Sequence, residues 1–505
     1  MTDPNSNPAA DALTIARLAA LSPVEYDRCR TAEADALGCR VATLDAMVTR
    51  ARGGAGVADD LDDPKPPQWS DESLALRFSA QHADRLRYVA GWGRWLIYDG
   101  GVWVPDATMQ SFDFARTICR AASAECNDHN IAPVIAAHRT VASVERLARA
   151  DRRHAATADQ WDTDPWLLNT PAGVLDLRTG DMAAHQASRH MTKMTAIAPD
   201  GDCPLWRTFL ARVTDDDREL QLFIQRMAGY CLTGLTREHA LFFAHGLGGN
   251  GKGVFLNTLA AILANYAAVA SMETFTASPG ERHPADLAML RGARLVTAQE
   301  TEEGRRWAEA RIKALTGGDP VTARFMRQDF FTFTPQFKLI IAGNHKPGLR
   351  SVDDAIRRRF NLIPFAVRIS AEERDRELSE KLRAEWPGIL AWAVDGCLSW
   401  QDRGLAPPPI VQAATADYLE GEDAMALWLD ERCIVKPSFH TTSGELFGCW
   451  KRWAELAGEF VGSQKRFSQA LEARGFIPKR QAGTGRHGFE GIGLKPAEPH
   501  WYDQP

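Results

Sequence analysis

The chain has 505 residues with 45% hydrophobic and 25% charged side chains and a formal net charge of −6, the balance of a soluble globular protein of about three domains. An acidic total excludes a grip on nucleic acid through overall charge, so any such contact has to come from local basic patches. Nine cysteines without a C-x-x-C pair argue against a zinc site or a disulfide framework and for a reducing, cytoplasmic setting. No apolar run reaches the roughly 20 residues that span a bilayer. Met1-Thr-Asp-Pro-Asn-Ser-Asn-Pro lacks the basic and apolar segments of a signal peptide, so neither membrane nor leader is expected.

Residues 10–51 read as helical, and Gly53 to Pro67, rich in Gly, Pro and Asp, as a linker. From Leu74 to about Pro199 the pattern is mixed α/β. Tyr88 to Val104 predicts a hairpin turning at Asp99-Gly100-Gly101; its tryptophans are expected to pack in a core rather than stack on bases. Trp206 to Cys231 predicts two helices that brace the next segment.

Ala240-Leu-Phe-Phe-Ala244 reads as a buried strand and Val254 to Leu263 as a helix. Between them Gly246, Gly248, Gly249, Asn250, Gly251 and Lys252 fit G-x-x-x-x-G-K, while Gly253 stands where the full pattern has Ser or Thr. A glycine loop at a helix N-terminus cradles phosphates with its N–H groups, and Lys252 is expected on the β- and γ-phosphates. Such a site needs acids for Mg²⁺ and for water. Glu300 ends the apolar run starting at Arg294, and Glu302 points the same way on an extended chain. Glu303 reads as a solvated loop residue. Phe337 to Gly343 predicts a second buried strand, whose tip carries Asn344 as a phosphate-sensing amide. Lys313 to Pro335 reads as a hairpin presenting Arg324 and Arg327 beside aromatics, a combination suited to single-stranded nucleic acid. Arg357, Arg358 and Arg359 are candidates for a finger reaching a neighbouring subunit's nucleotide; at least one of them is expected to be structural.

Beyond this core, Ala371 to Trp400 predicts a helical lid with Pro387 in the first turn of its second helix, and Leu405 to Ile410 a stiff connector. Helices at Ser443–Leu456 and Ser463–Arg474, followed by two strands around a glycine-rich tip, follow the winged-helix order. From Ser463 to Lys495 seven Lys/Arg stand against two Glu, which favours a phosphate-binding face carrying Lys465, Arg466, Lys479 and Arg480.

Taken together, GLGGNGKG, LVTAQETEEG, KALTGGDPVTARFMRQDFF, KLIIAGNHKP and RRRF, in that order within about 120 residues, resemble the superfamily 3 helicases, in particular the phage and plasmid primase–helicase branch related to poxvirus-type proteins. GWGRWLIYDGGVWVPD and WDTDPWLLNTPAGVLDLRTG resemble the domain preceding the ATPase in that branch. The resemblance implies an α/β fold with a P-loop AAA+-like ATPase core, an α/β N-terminal domain, a helical lid and a C-terminal winged-helix domain. The corresponding divisions are 1–66, 67–200, 201–236, 237–370, 371–404 and 405–505. It also implies ATP and Mg²⁺ as cofactors, with Glu300 as metal ligand. The catalytic roles fall to Glu300, Glu302, Asn344 and Arg358 or Arg359, and the DNA contacts of the core to Lys313, Arg324 and Arg327. The expected activity is ATP-driven translocation on single-stranded or forked DNA by a homo-hexameric ring that replicates a phage, prophage or plasmid in a bacterial cytoplasm. A separate primase or initiator is a candidate partner, because Asp162-Thr-Asp164-Pro165 is the only near match to a polymerase aspartate pair and sits in a polar stretch. The alternatives are the helicase-like part of a primase–helicase and a P-loop switch without unwinding.

Overall fold

The computed structural model describes residues 14–52 (16 excepted), 65–277, 285–299, 305–326, 329–349, 352–472, 474–480 and 487–496. They belong to two compact units, Met1–Ser73 and Leu74–Pro505. In the first, the helix Pro23–Ala36 opens with a capping box between Ser22 and Glu25. A second helix, Val41–Arg52, follows. Leu18, Tyr26, Ala34, Leu44 and Val48 form its small core. Most of the expected linker, 53–64, lies outside the described residues.

The second unit begins with an α/β region. Strands β1 (Leu86–Val89), β2 (Arg94–Tyr98), β3 (Trp103–Pro105) and β4 (Ala155–Ala156) form a sheet in the order β3-β2-β1-β4. The expected hairpin turn is present, with Asp99 Oδ1 accepting from Gly101 N at 3.0 Å and Val102 N at 2.9 Å. The apolar run ahead of it is split by a helical turn, Ala90–Trp92, so it makes two strands rather than one. Trp95 and Trp103 are buried, in line with the packing expectation. A meander of β5 (Leu167–Thr170), β6 (Gly173–Asp176) and β7 (Asp181–Ala183) follows. Asp162 binds Thr192 through its backbone N at 2.8 Å and its hydroxyl. Asp164 pairs with Arg178 at 3.1 Å. Both carboxylates of the polymerase-like near match are thus tied to neighbouring chain.

The centre is a five-stranded, all-parallel sheet of β8 (Leu241–His245), β9 (Ala267–Val269), β10 (Leu295–Gln299), β13 (Lys338–Gly343) and β14 (Phe360–Pro364), in the order β14-β8-β13-β10-β9. Because side chains alternate, Phe242 and Ala244 enter one core while Leu241 and Phe243 enter the other. Burial on both faces is why these strands read as unbroken apolar runs. The first core includes the helices Pro204–Val213, Arg218–Leu232, Lys252–Leu263 and Trp386–Arg403. Arg218–Leu232 and Trp386–Arg403 meet at two glycines: a Cβ on Gly229 would lie 2.0 Å from Cys397 N, and one on Gly396 2.1 Å from Gln225 O. Only glycine allows backbones so close. The second helix of the expected lid is therefore built into the main core.

Strands β11 (Val321–Ala323) and β12 (Phe331–Phe333) form the expected two-stranded hairpin. The helix Pro409–Gly421 packs on β14, with Thr415 Oγ1 accepting from Leu362 N at 2.9 Å. The last region runs helix Ala424–Arg432, β15 (Cys433–Thr442), helices Ser443–Leu456 and Gln464–Glu472, then β16 (Ile477–Arg480) and β17 (His487–Leu494). Its sheet order is β15-β17-β16. Trp428, Trp450, Trp453 and Phe467 fill its core. Among the described residues no helix is long and apolar enough to cross a membrane.

Candidate functional site

All five central strands point their carboxyl ends the same way, and ligands of open parallel sheets bind beyond those ends. β8 feeds residues 246–251, which lead into the helix Lys252–Leu263. Gly249 and Gly251 have φ of +79° and +85°, a left-handed conformation that favours glycine. A Cβ on Gly251 would also lie 2.7 Å from Val213 Cγ1. Gly248 and Gly253 differ: a Cβ on either meets nothing within 4 Å.

Lys252 is only 7% exposed. Its Nζ donates to the Gly246 carbonyl, to Asn250 Oδ1 at 3.1 Å and to Asn344 Oδ1 at 3.2 Å. Asn250 Nδ2 donates in turn to Phe365 O at 2.9 Å, locking the loop to the chain beyond β14. The expected loop lysine and sensor amide thus meet at the tips of β8 and β13. All three acceptors are neutral. Burial therefore holds the ammonium below the ordinary lysine range, and an anion arriving at the loop would supply the missing counter-charge. His245, at the tip of β8, is pushed down by burial and then by Lys346 and Lys252.

The chain beyond β14 folds back over this loop. Ile369 N donates to Gly249 O at 2.9 Å. The Arg374 guanidinium packs where a Cβ on Gly249 would be 2.4 Å from Nη2. Arg374 was not among the sequence candidates. It lies far from the glycine motif in sequence, in a run of mixed charges, and carries no local signal.

Glu300, Glu302 and Arg327 lie outside the described residues. β10 ends at Gln299, on the carboxyl edge of the sheet beside β13. The three arginines are at the other edge, ahead of β14, whose Phe360 pairs with Leu241 at the start of β8. A five-residue strand spans about 15 Å, so Arg358 and Lys252 stand a strand's length apart. Arg357 faces Asp423 at 3.6 Å. Arg359 donates to Thr316 Oγ1 at 3.2 Å and Ala355 O at 2.8 Å. Arg358 is exposed and, among the described residues, its side chain bonds only the Asp354 carbonyl of its own turn, at 3.2 Å.

Lys313 pairs with Asp353 at 2.5 Å, which ties the helix Glu309–Gly317 to the N-cap of the short helix Asp354–Arg357. Arg324 lies over the Phe330 ring at 4.6 Å, and Phe325 stacks on Phe331 at 5.4 Å. Phe330 and Met326 are 61% and 74% exposed, so the aromatics expected beside Arg324 present apolar surface at this hairpin end. In the last region Lys465 and Arg466 are exposed on the helix Gln464–Glu472. Lys479 pairs with Glu490 at 2.8 Å, and Arg480 Nε approaches His487 Nε2 at 3.1 Å. Arg474 is held by Asp423 at 2.5 Å. The local basic excess is thus partly neutralised within the fold.

Residues 75–215 match the family model described as D5 N terminal like, and residues 244–359 match a family of unknown function, DUF5906. The provisionally named helicase L207/L206 of Acanthamoeba polyphaga mimivirus is 25% identical over 282 residues, covering 51% of this chain and 29% of that protein. The provisionally named helicase 022R of Frog virus 3 (isolate Goorha) is 24% identical over 268 residues, covering 48% and 27%. The chain spans less than a third of the length of these curated relatives. An apo structure of the NrS-1 C-terminal region covers 85% of this chain and all of that one, at 12% identity and a TM-score of 0.47. These likenesses support a primase–helicase family of phage and viral type, the branch that the motifs resemble.

Proposed function

We propose that the chain is an ATP-dependent DNA helicase, translocating on single-stranded or forked DNA as a homo-hexameric ring during replication of a phage, prophage or plasmid in a bacterial cytoplasm. The observation that carries this reading is the desolvated Lys252 ammonium, held by neutral oxygens at the tips of two parallel strands within a glycine loop. The residues fit a triphosphate: loop N–H groups and Lys252 hold its oxygens, and Asn344 orients water or the terminal phosphate. ATP supplies the free energy of its hydrolysis to drive movement. Gly253 offers no hydroxyl, and the described residues contain no cluster of three His, Cys, Asp or Glu suited to a metal. Mg²⁺ is assigned to phosphate oxygens and water, with Glu300 as protein ligand and Glu302 as the second acid, both from the sequence motif and outside the described residues.

The placement of Arg358 a strand's length from Lys252 supports a finger acting in a neighbouring subunit, and hence a ring. The strand order of the parallel sheet supports an AAA+-like core. The helix–helix–strand–strand order of the last region supports a winged helix that meets DNA through Lys465 and Arg466, with Lys479 and Arg480 on its wing. In the core, Arg324 at the aromatic hairpin end is assigned to the single strand, and Arg327, outside the described residues, is assigned there from the sequence motif. The engagement of Asp162 and Asp164 supports a division of labour in which a separate primase or initiator acts alongside this chain. The test is ATP turnover and fork unwinding by the purified chain, with and without single-stranded DNA. Turnover should rise with DNA and vanish in Lys252→Ala; turnover indifferent to DNA would favour the P-loop switch, and unwinding by Lys252→Ala would overturn the mechanism.

A further inference from the structure

Resting on the reading that residues 246–252 bind a nucleoside triphosphate, we infer that Arg374 is a second phosphate-binding cation of the same subunit, laid over the loop at Gly249. The chain that carries it is fastened to the loop at three points. Phe365 N donates to His245 O at 2.7 Å, Asn250 Nδ2 to Phe365 O at 2.9 Å, and Ile369 N to Gly249 O at 2.9 Å. A turn then sets residues 370–373: Glu373 N donates to Ser370 Oγ, and Ser370 N to Glu373 Oε2, each at 3.3 Å. The guanidinium ends against Gly249, where a methyl group would lie 2.4 Å from Nη2 and 3.3 Å from Cζ. Gly249 is glycine for its φ of +79°, and the guanidinium rests on the open face that this leaves.

Two neighbouring carboxylates are already committed. Glu373 pairs with Arg212 at 2.9 Å and Asp375 with Lys381 at 2.7 Å. Among the described residues no carboxylate within ion-pair distance faces Arg374. A planar guanidinium that lies on a phosphate cradle without an acidic partner is matched to phosphate oxygens, which it can bind in a two-pronged manner that lysine cannot. Lys252 grips the bound anion from inside the loop, and Arg374 covers it from the chain beyond β14. Since both belong to one subunit, this contact does not depend on ring assembly, unlike that of Arg358.

The experiment is equilibrium titration of a fluorescent ATP analogue and of AMP against wild type, Arg374→Gln, Arg374→Lys and Lys252→Ala, with a thermal melt of each protein without nucleotide. Arg374→Gln is expected to weaken ATP-analogue affinity roughly tenfold, as loss of a charged hydrogen bond predicts. It should leave AMP affinity and the melting temperature in place, and Arg374→Lys should recover part of the loss. If Arg374→Gln binds like wild type while Lys252→Ala does not, the assignment of Arg374 is wrong and the reading of the loop stands. An equal loss for ATP analogue and AMP, or a matching drop in melting temperature, would make Arg374 a structural residue. If wild type binds no nucleotide, both the reading and the inference fall.

Discussion

Lys252 and Lys338 are both buried ammonium groups of the central sheet, Lys252 just beyond the carboxyl end of β8 and Lys338 at the start of β13. Lys338 donates to the carbonyl of Thr233, to Leu235 O and Gln336 O at 3.3 Å each, and lies 4.8 Å from the Tyr230 ring centre. Beside it the buried Arg294 donates to Leu232 O at 2.6 Å and Leu167 O at 2.7 Å. Several of these carbonyls belong to the end of the helix Arg218–Leu232 and the turn after it, where the helix dipole favours positive charge. Lys252 instead meets one loop carbonyl and two side-chain amides, inside the glycine loop. Burial lowers the pKa of both lysines, so a perturbed lysine alone does not mark a functional site. What differs is the surroundings: fixed backbone and a helix end at Lys338, and at Lys252 a loop that the proposed triphosphate would complete.

The sharpest break between the two ends would come from Arg358→Ala, expected to cut ATP turnover by about 10³-fold or more if it acts as a finger. Mixing it with inactive Lys252→Ala subunits should restore part of that turnover. No recovery at any mixing ratio would remove the shared-site ring. The paired lysines come next. Lys252→Ala should abolish hydrolysis and leave the melting temperature close to wild type. Lys338→Met should leave nucleotide affinity unchanged yet destabilise the fold by about 1–3 kcal/mol, because buried carbonyls lose their donor. Equal stability losses in the two variants would erase the contrast.

A pH series sharpens it further. Burial pushes Lys338 down to about 7, while a lysine in the unfolded chain titrates near about 10.4. Between those values the unfolded state binds more protons, so stability rises with pH. Wild type measured against Lys338→Met should therefore gain stability from about pH 7 to 10, with a slope of up to about 1.4 kcal/mol per unit, and show no such slope below pH 7. A flat difference across that range would mean that Lys338 keeps its ordinary pKa. The smallest effect is expected of Gly253→Ser. A Cβ there meets nothing within 4 Å, so the variant should fold with stability equal to wild type or higher by less than about 1 kcal/mol. Its hydroxyl should lower the Mg²⁺ concentration needed for ATP binding; a destabilised variant would show that Gly253 is required by the fold.

Much of the sheet and its loop was legible because both are written locally. β8, β10 and β13 are short apolar runs, as strands buried on both faces must be, and glycines at 249 and 251 mark a turn that needs positive φ. The hairpin β11–β12 also followed from alternation. The last region was read less fully. The helix Ala424–Arg432 and strand β15 went unrecognised, since β15 carries Lys436-Pro437 in its middle, is largely exposed and shifts register between Val435 and His440.

The sequence by itself determined the glycine loop, the strands beside it and their order, since glycine conformation and apolar periodicity act over a few residues. Which cations remain available was a tertiary decision. Lys313, Arg357, Arg359 and Arg474 are drawn into ion pairs or hydrogen bonds by residues distant in the chain or packed from other elements. Arg358 stays exposed, and Arg374 is carried to Gly249 by a chain reversal that no local pattern encodes. A side chain's charge is local, but its partner depends on the packing of the whole unit.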